Sequence, residues 1–160
     1  MPNPNTQFSS GAVYTADQAN RFPRGIMASP ATSTSSQNMS TTSTISTGMT
    51  VTFTAETGRL YKITYLEPEV QTPTVAAGES LIAIKLTDAS GSTFAASALV
   101  TPSAAKTENQ MTAIAIESFG TAGSKTIVGT HITSSTTGTP QLQRSSTRQA
   151  ILIVEDIGPT

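Results

Sequence analysis

The chain has 160 residues, a net charge of -1 and only 12% charged residues. Lysines and arginines are scattered along it, so no basic surface is available to neutralise a phosphate backbone, and we expect no nucleic-acid partner. Cysteine is absent, which excludes disulfides and thiolate metal sites. No apolar run approaches the roughly twenty residues that span a bilayer, and the first residues lack a signal-peptide pattern, so we expect no membrane association.

The composition favours an all-β protein. Serine and threonine make up close to a third of the chain, and the long helix-forming residues are sparse. Threonine suits strands because its branched Cβ fits a pleated surface. The length is that of one domain with one core.

Residues 1–25 differ from the rest, with three prolines and little alternation. Within them, Thr15 to Asn20 predicts one helical turn, capped by Thr15 with Gln18 as its partner. The segment is either a flexible tail or an anchoring arm, and we favour the arm because its apolar side chains are unusual in a disordered terminus. The candidate anchoring and interface residues are Phe8, Val13, Tyr14, Arg21, Phe22, Pro23 and Arg24.

The stretch from Arg21 to Gly25 has two interpretations. Two cations, an aromatic ring and a Pro–Arg–Gly bend suit a structured linker between arm and domain. They also suit a docking hook for an acidic or aromatic surface on a partner, since Arg and Phe are enriched at interfaces.

Residues 26–160 predict a series of short strands. Residues 26–29 form a first strand, and the Ser/Thr-rich stretch 30–47 is a loop or solvated edge strand. Alternation over 49–55 predicts a strand with one buried face, and Thr57-Gly58 with the alternation of Tyr61, Ile63 and Tyr65 predicts that it forms a β-hairpin with the next run. Pro68 and Pro73 then bracket a loop.

Further strands are predicted along the second half of the chain. The runs are 80–88, 94–101, 110–119 with Ile114 and Ile116, 125–133 with Ile127 or Val128 inward, and 150–157 as a central strand. Turns are predicted at 88–91 and 120–123, and a polar loop at 134–140. Seven to nine strands with regular turns predict an antiparallel β-sandwich or jelly-roll-like domain over 26–160, after an arm over 1–25.

Signals for catalysis or metal binding are weak. His131, the single histidine, lies in a predicted strand and is more typical of a packed residue than of a catalytic base. Glu155 and Asp156 are adjacent, so a strand points them to opposite faces. Glu67 and Glu69 flank Pro68 and would suit calcium only with help from backbone carbonyls. We expect no cofactor, no bound metal and no enzymatic activity.

A homo-oligomer is expected from the thin core. Five phenylalanines, three tyrosines and no tryptophan are few for an isolated sandwich of this length. The many small residues would let subunits pack closely about a symmetry axis. For a fibre-like protein the expected oligomer is a trimer.

Three stretches resemble a family of small bacteriophage virion proteins of the tail-fibre, minor-tail or capsid-decoration type, as found in phages of actinobacteria. They are Ser10-Gly-Ala-Val-Tyr-Thr-Ala-Asp-Gln-Ala-Asn20 with Pro23-Arg-Gly25, Val51-Thr-Phe-Thr-Ala55 with Gly58-Arg-Leu-Tyr-Lys-Ile-Thr64, and Ile153-Val-Glu-Asp-Ile-Gly-Pro159. The resemblance implies a joint to the particle, a core hairpin and a closing strand, respectively. It also implies a protein made in the bacterial host cytoplasm and assembled with other virion proteins, capsid or tail, on the particle surface.

The position on the particle has two interpretations. The leading one is a trimeric, receptor-contacting protein of the tail-fibre type, with residues 32–47 and 134–138 at its exposed end. The absence of shaft repeats and coiled-coil heptads favours the other, a capsid decoration protein. Less favoured are a carbohydrate-binding module that stacks host glycan on Tyr61, Tyr65 or Phe94, and a glycan depolymerase with paired carboxylates. The two tyrosines alternate with polar residues, so we expect them to face the core.

Overall fold

The computed structural model describes residues 16–160. Phe8, Val13, Tyr14 and the predicted cap Thr15 lie outside the described residues. The described elements are α1 (Ala16–Asn20), β1 (Gly25–Ile26), β2 (Ala31–Ser33), β3 (Gln37–Asn38), β4 (Thr44–Ala55), β5 (Arg59–Gln71), β6 (Glu79–Leu86), β7 (Thr93–Val100), β8 (Glu108–Glu117), β9 (Gly123–Thr133), β10 (Gln141–Leu142) and β11 (Ala150–Pro159). Within residues 16–160, no helix is long and apolar enough to cross a membrane.

The strands form two antiparallel sheets that pack face to face. In the larger sheet, which we call sheet A, β5 pairs with β8 along one edge and with β11 and then β10 along the other. The short strands β1 and β2 extend β11, and β3 extends β10, so sheet A is four strands wide. Sheet B has the order β4-β9-β6-β7. The predicted antiparallel β-sandwich is therefore confirmed.

Strands β4 and β5 confirm the predicted alternation but not the predicted hairpin. Met49 and Phe53 on β4, and Tyr61 and Tyr65 on β5, are buried, as the period of two requires. The two strands belong to different sheets, however: β4 pairs with β9, whereas β5 pairs with β8 and β11. The hairpin prediction was wrong. Alternation shows which face of each strand is buried, but it does not show whether two such strands pair within one sheet or pack against each other from opposite sheets.

Strand β5 also continues through the predicted loop. It extends to Gln71 and includes Pro68, which lies where the register with β8 shifts between Glu67 and Val70. A proline is tolerated at such an irregularity because the ladder hydrogen bond is already interrupted there. The loop before Pro73 was therefore a wrong prediction.

The remaining predictions largely hold. Seven long strands fall in the predicted range, and the helical turn is present as α1. The segment over 30–47, predicted as a loop or a solvated edge strand, contains the short edge strands β2 and β3 and the start of β4, with loops between them. The turn at 88–91 closes with Gly91 N–H donating to the Asp88 carbonyl at 3.1 Å. Both Ile127 and Val128 are buried.

The core between the sheets combines an aromatic cluster with aliphatic side chains. The ring centroids of Phe53 and Tyr61 lie 5.1 Å apart, and Phe119 lies 5.9 Å from Phe53 and 6.2 Å from Phe94. Contacts of this kind stabilise beyond area burial by roughly 0.5–1.5 kcal/mol each.

One glycine is required where the two sheets approach each other. A Cβ at Gly129 of β9 would lie 2.8 Å from Cζ of Tyr65, so a side chain there would collide with the ring. Gly129 thus lets the Tyr65 ring cross the sandwich.

Candidate functional site

The base of the arm, residues 20–22, is bound to one end of the sandwich by the buried Arg59. Nη1 of Arg59 donates to the Asn20 carbonyl at 2.6 Å, and Nη2 donates to the Phe22 carbonyl at 2.7 Å. The same guanidinium forms a two-point ion pair with Asp156, through Nε to Oδ2 and through Nη2 to Oδ1 at 2.7 Å. We call these four residues the arm clasp. It joins residues 20–22 to the first residue of β5 and to β11.

A surface ion pair lies beside the arm clasp. Arg24 pairs with Glu56, and this hydrogen bond lowers the pKa of Glu56 and raises that of Arg24. Both side chains are solvent-exposed, so the pair stabilises little. The structure therefore brings the predicted residues Arg21, Phe22, Pro23 and Arg24 together at one end, where all four are exposed.

A second buried arginine, Arg144, lies inside the sandwich. It holds Glu67 through two bonds, Nε to Oε2 at 3.0 Å and Nη2 to Oε1 at 2.6 Å, and both side chains are fully buried. Its remaining nitrogen, Nη1, donates to Ser33 Oγ at 3.0 Å and to the Thr47 carbonyl at 2.8 Å. The planar guanidinium has five N–H donors, so it can hold a carboxylate through two parallel bonds and still donate to a hydroxyl and a carbonyl, whereas a lysine has only three donors and no planar fork.

A chain of polar groups continues from Glu67 across the core. The Tyr65 hydroxyl donates to the Glu67 carboxylate and lies 2.7 Å from Ser46 Oγ, which in turn lies 3.1 Å from His131 Nδ1. Burial first, and then Glu67, raises the pKa of Tyr65, whereas burial and the Arg144 charge lower the pKa of His131 to about 4. We call Arg144, Glu67, Tyr65, Ser46 and His131 the Arg144 lock.

The Ser46–His131 contact resembles a nucleophile and its base, but its position removes it from substrates. Both side chains are almost completely buried between the sheets. A covalent mechanism requires a nucleophile that the substrate can reach. The pair is therefore part of the packing of the core.

The carboxylates considered for chemistry are paired with cations. Glu67 binds Arg144 and Glu69 binds Arg148, so the two do not share a site. Glu155 and Asp156 point to opposite faces as predicted, Glu155 towards Lys62 at 3.4 Å and Asp156 towards Arg59. Residues 16–160 contain no group of three or more His, Cys, Asp or Glu placed to hold a metal ion.

The outer side of sheet A carries a cluster of isoleucines, interrupted by Thr64 and by the paired Lys62 and Glu155. Ile114 of β8 and Ile153 of β11 flank Thr64 of β5, and Ile151 pairs with Leu66. Directly paired residues share a face, so these side chains all point away from the core. Ile114 is 54% and Ile116 59% exposed. We call this surface the isoleucine face, formed by Ile26, Leu66, Ile114, Ile116, Ile151 and Ile153.

The two buried ion pairs were missed from the sequence, although the alternation contains the signal. Arg59 and Glu67 have the same parity as Tyr61, Ile63 and Tyr65, which places both charges on the buried side of β5. Asp156 has the same relation to the buried residues of β11. A charge at a buried position must be paired, so parity alone predicts that partners exist, but it does not say which residues they are.

No family model and no curated protein matches the chain. Among solved structures it is similar to the enzymatically active domain of bacteriophage CBA120 tailspike protein 4, at 11% identity and a TM-score of 0.28, over 81% of this chain and 19% of that chain. It is also similar to the structure of infectious bursal disease virus Gt strain, at 13% identity and a TM-score of 0.25, over 99% of this chain and 47% of that chain. The chain thus spans less than half of either protein.

Proposed function

We propose that this protein is a structural component of a bacteriophage particle, of the tail-fibre or receptor-contacting type. In this proposal residues 1–25 attach to other virion proteins, and a trimer of the β-sandwich faces outward. The proposal is supported by the three sequence stretches that resemble small phage virion proteins and by the all-β sandwich.

The observation that carries the proposal is the polarity of the domain. The arm clasp lies at the end where β5 begins, at Arg59. Of the segments expected at the exposed end, the part around Ser40 and residues 134–138 lie where β5 stops, since Thr133 N–H donates to the Ser40 carbonyl and Thr74 N–H to the Thr137 carbonyl. Residues 32 and 33 instead pair with β11, beside the middle of β5. With about 3.3 Å per residue, the thirteen residues of β5 separate these ends by roughly 40 Å. One end can therefore be attached while the other faces away.

The arm clasp suits a mechanical joint. It connects residues 20–22 to β5 and β11, which are paired with each other at the centre of sheet A. A load on the arm would thus be carried by the most hydrogen-bonded part of the sheet rather than by a surface loop.

Contact with the host would be made by the hydroxyl-rich end. Serine and threonine hydroxyls form weak hydrogen bonds with glycan hydroxyls, and weak contacts become useful when many copies act together. No catalytic step is part of this proposal. A carbohydrate-binding module would need exposed aromatic rings on which sugar rings stack. The three candidates do not provide them, because Tyr61 and Tyr65 are fully buried and Phe94 packs on Phe119.

A capsid decoration protein is the second candidate. The compact sandwich begins shortly after the arm clasp, and the sequence contains no shaft repeat that would extend it from a tail. The same polarity would then orient the domain on the capsid lattice.

Immunogold electron microscopy of phage particles tests the proposal, with an antibody raised against residues 26–160. Label at the tail tip supports the tail-fibre type, and label over the head supports the decoration type. Particles of a phage that lacks the gene are the control for specificity. If complete particles carry no label above this control, the virion proposal is wrong.

A further inference from the structure

We propose that the isoleucine face is the surface through which copies of this chain associate. The inference deepens the proposed function. It takes from that proposal the number of associating copies, which is three. The face itself is defined by the outward side chains of β5, β8 and β11.

The outer face of sheet A differs from that of sheet B. An antiparallel sheet with one solvated side normally alternates apolar residues inward with polar residues outward. Strand β4 of sheet B follows this rule, with Thr50, Thr52 and Thr54 exposed. Strand β8 departs from it, because Ile114 and Ile116 are exposed on its outer side although Met111, Ala113 and Ala115 already face the core. Apolar side chains exposed in this way cost solubility unless another surface covers them.

The size of the face matches an association surface. Strands β5, β8 and β11, which have 10 to 13 residues each, and the short strands β1 and β2 beside them give a surface of roughly 600 Å², at about 4.8 Å between strands and about 3.3 Å per residue. A standard stable interface buries about 800 Å² on each partner. The face with its margins is therefore large enough, whereas an isolated exposed isoleucine would not be.

The charges on the face favour a second copy as the occupant. Lys62 and Glu155 lie within the face, between Ile116 and Ile26, and pair with each other, Nζ to Oε2 at 3.4 Å. The face consequently carries no net charge and can meet its own copy about a symmetry axis without like-charge repulsion. A strongly acidic or basic partner would gain nothing from it. Isoleucine also loses little side-chain freedom on burial, because its χ1 is already restricted.

The test is the mass of the full chain in solution, measured by light scattering and sedimentation equilibrium over a range of concentrations. The wild type is expected to form an oligomer, a trimer if the copy number is as proposed, with subunits of 16.5 kDa. The double variant Ile114→Lys/Ile116→Lys is expected to be monomeric, since each substitution weakens association by roughly tenfold or more. The matched control is Val100→Lys, because Val100 is 52% exposed on β7 of the other sheet.

Three outcomes would overturn the inference. They are a monomeric wild type, an oligomer that persists in a folded double variant, and equal dissociation by Val100→Lys. An oligomer that persists in the double variant but is lost when residues 1–15 are removed would assign the contact to that segment instead. Folding of the double variant is checked by circular dichroism. Lysine on the outer face of an edge strand such as β8 is compatible with folding.

Thiol cross-linking tests the face directly, because the chain has no native cysteine. The variant Ile116→Cys is expected to cross-link between copies with a short bifunctional reagent, whereas Val100→Cys is not. Equal cross-linking at both positions would overturn the inference. Particle labelling is independent of these results, so a monomer that labels particles would refute the face while retaining the virion role.

Discussion

Two segments of the molecule are held by the same kind of buried ion pair in different surroundings. The arm base and the Ser/Thr-rich segment over 31–47 offer few large apolar side chains, and each is held by one buried arginine paired with a carboxylate. Arg144 is fully enclosed and connects β2, β4 and β5 through Ser33, Thr47 and Glu67. Arg59 lies at the edge and binds the carbonyls of an exposed segment. A chain without cysteine can thus fix hydroxyl-rich backbone with guanidinium groups, either within the core or at its margin.

The largest effect is expected from Arg144→Met, which leaves Glu67 buried without its cation. Loss of one partner of a buried ion pair costs about 3–5 kcal/mol of the free energy of unfolding. Urea unfolding measures it. In the double variant Arg144→Met/Glu67→Met, much of this loss should be recovered, because no unpaired charge remains. A double variant as unstable as the single one would show that the cation acts mainly through Ser33 and Thr47.

The free energy of unfolding is expected to vary with pH through His131 of the Arg144 lock. The pKa of His131 is about 4 in the folded protein, against about 6.5 in the unfolded chain. Between these values the unfolded chain binds more protons, so the free energy of unfolding decreases as the pH falls, by about 1.4 kcal/mol per unit and roughly 3 kcal/mol in total.

The matched variant is His131→Gln, and its urea unfolding is measured at several pH values from 7 to 4. The variant should lose the His131 contribution to the slope, whatever its stability at neutral pH. If the free energy of unfolding varies with pH equally in the variant and the wild type, the lowered pKa of His131 is not the cause.

A smaller and more local effect is expected from Arg59→Met at the arm clasp. Asp156 would keep one hydrogen bond, from Gly158 N–H at 2.9 Å, so the cost should be roughly 2–3 kcal/mol. Amide hydrogen exchange should rise most at residues 20–27. Arg24→Met, which removes only the surface pair with Glu56, is the control and should change little. Uniform exchange across the domain would mean that the clasp supports the whole fold rather than the arm base.

The smallest effect is a gain in stability from Thr64→Val. Among the described residues, Thr64 Oγ1 is the buried side-chain polar atom that has no hydrogen-bond partner, in contrast to the satisfied groups around Arg144. Removing the hydroxyl should add up to about 1 kcal/mol to the free energy of unfolding. The control is Thr52→Val, since Thr52 bonds to Thr126 at 3.0 Å and should gain nothing. Equal changes in both variants would point to strand propensity instead.

The sequence predicts which residues are buried better than it predicts which strands pair with each other. Alternation correctly placed Met49 and Phe53 inward on β4, and Tyr61 and Tyr65 inward on β5. It could not show that these strands face each other across the core, because pairing depends on residues distant in the sequence. On β8 both faces carry apolar residues, so hydrophobicity alone does not assign the inner face.

The candidate site was only partly predictable. The sequence identifies the stretch Arg21 to Arg24 as an interface candidate, and the structure places it at one end of the domain. Sequence reasoning misses Arg59, at the start of β5, and Arg144, which lies just after β10, because an arginine gives no sign in the sequence of its distant partner. The parity of Arg59 and Glu67 shows only that such charges require one.

The connection from β4 to β5 has a consequence for how the chain folds. These strands are adjacent in sequence but do not pair, so β5 must wait for β8 and β11, which are synthesised much later. Long-range pairing of this kind slows folding, and until it is complete both edges of β5 remain open to other chains. The period before β11 docks is therefore when misassembly competes most strongly with the native fold.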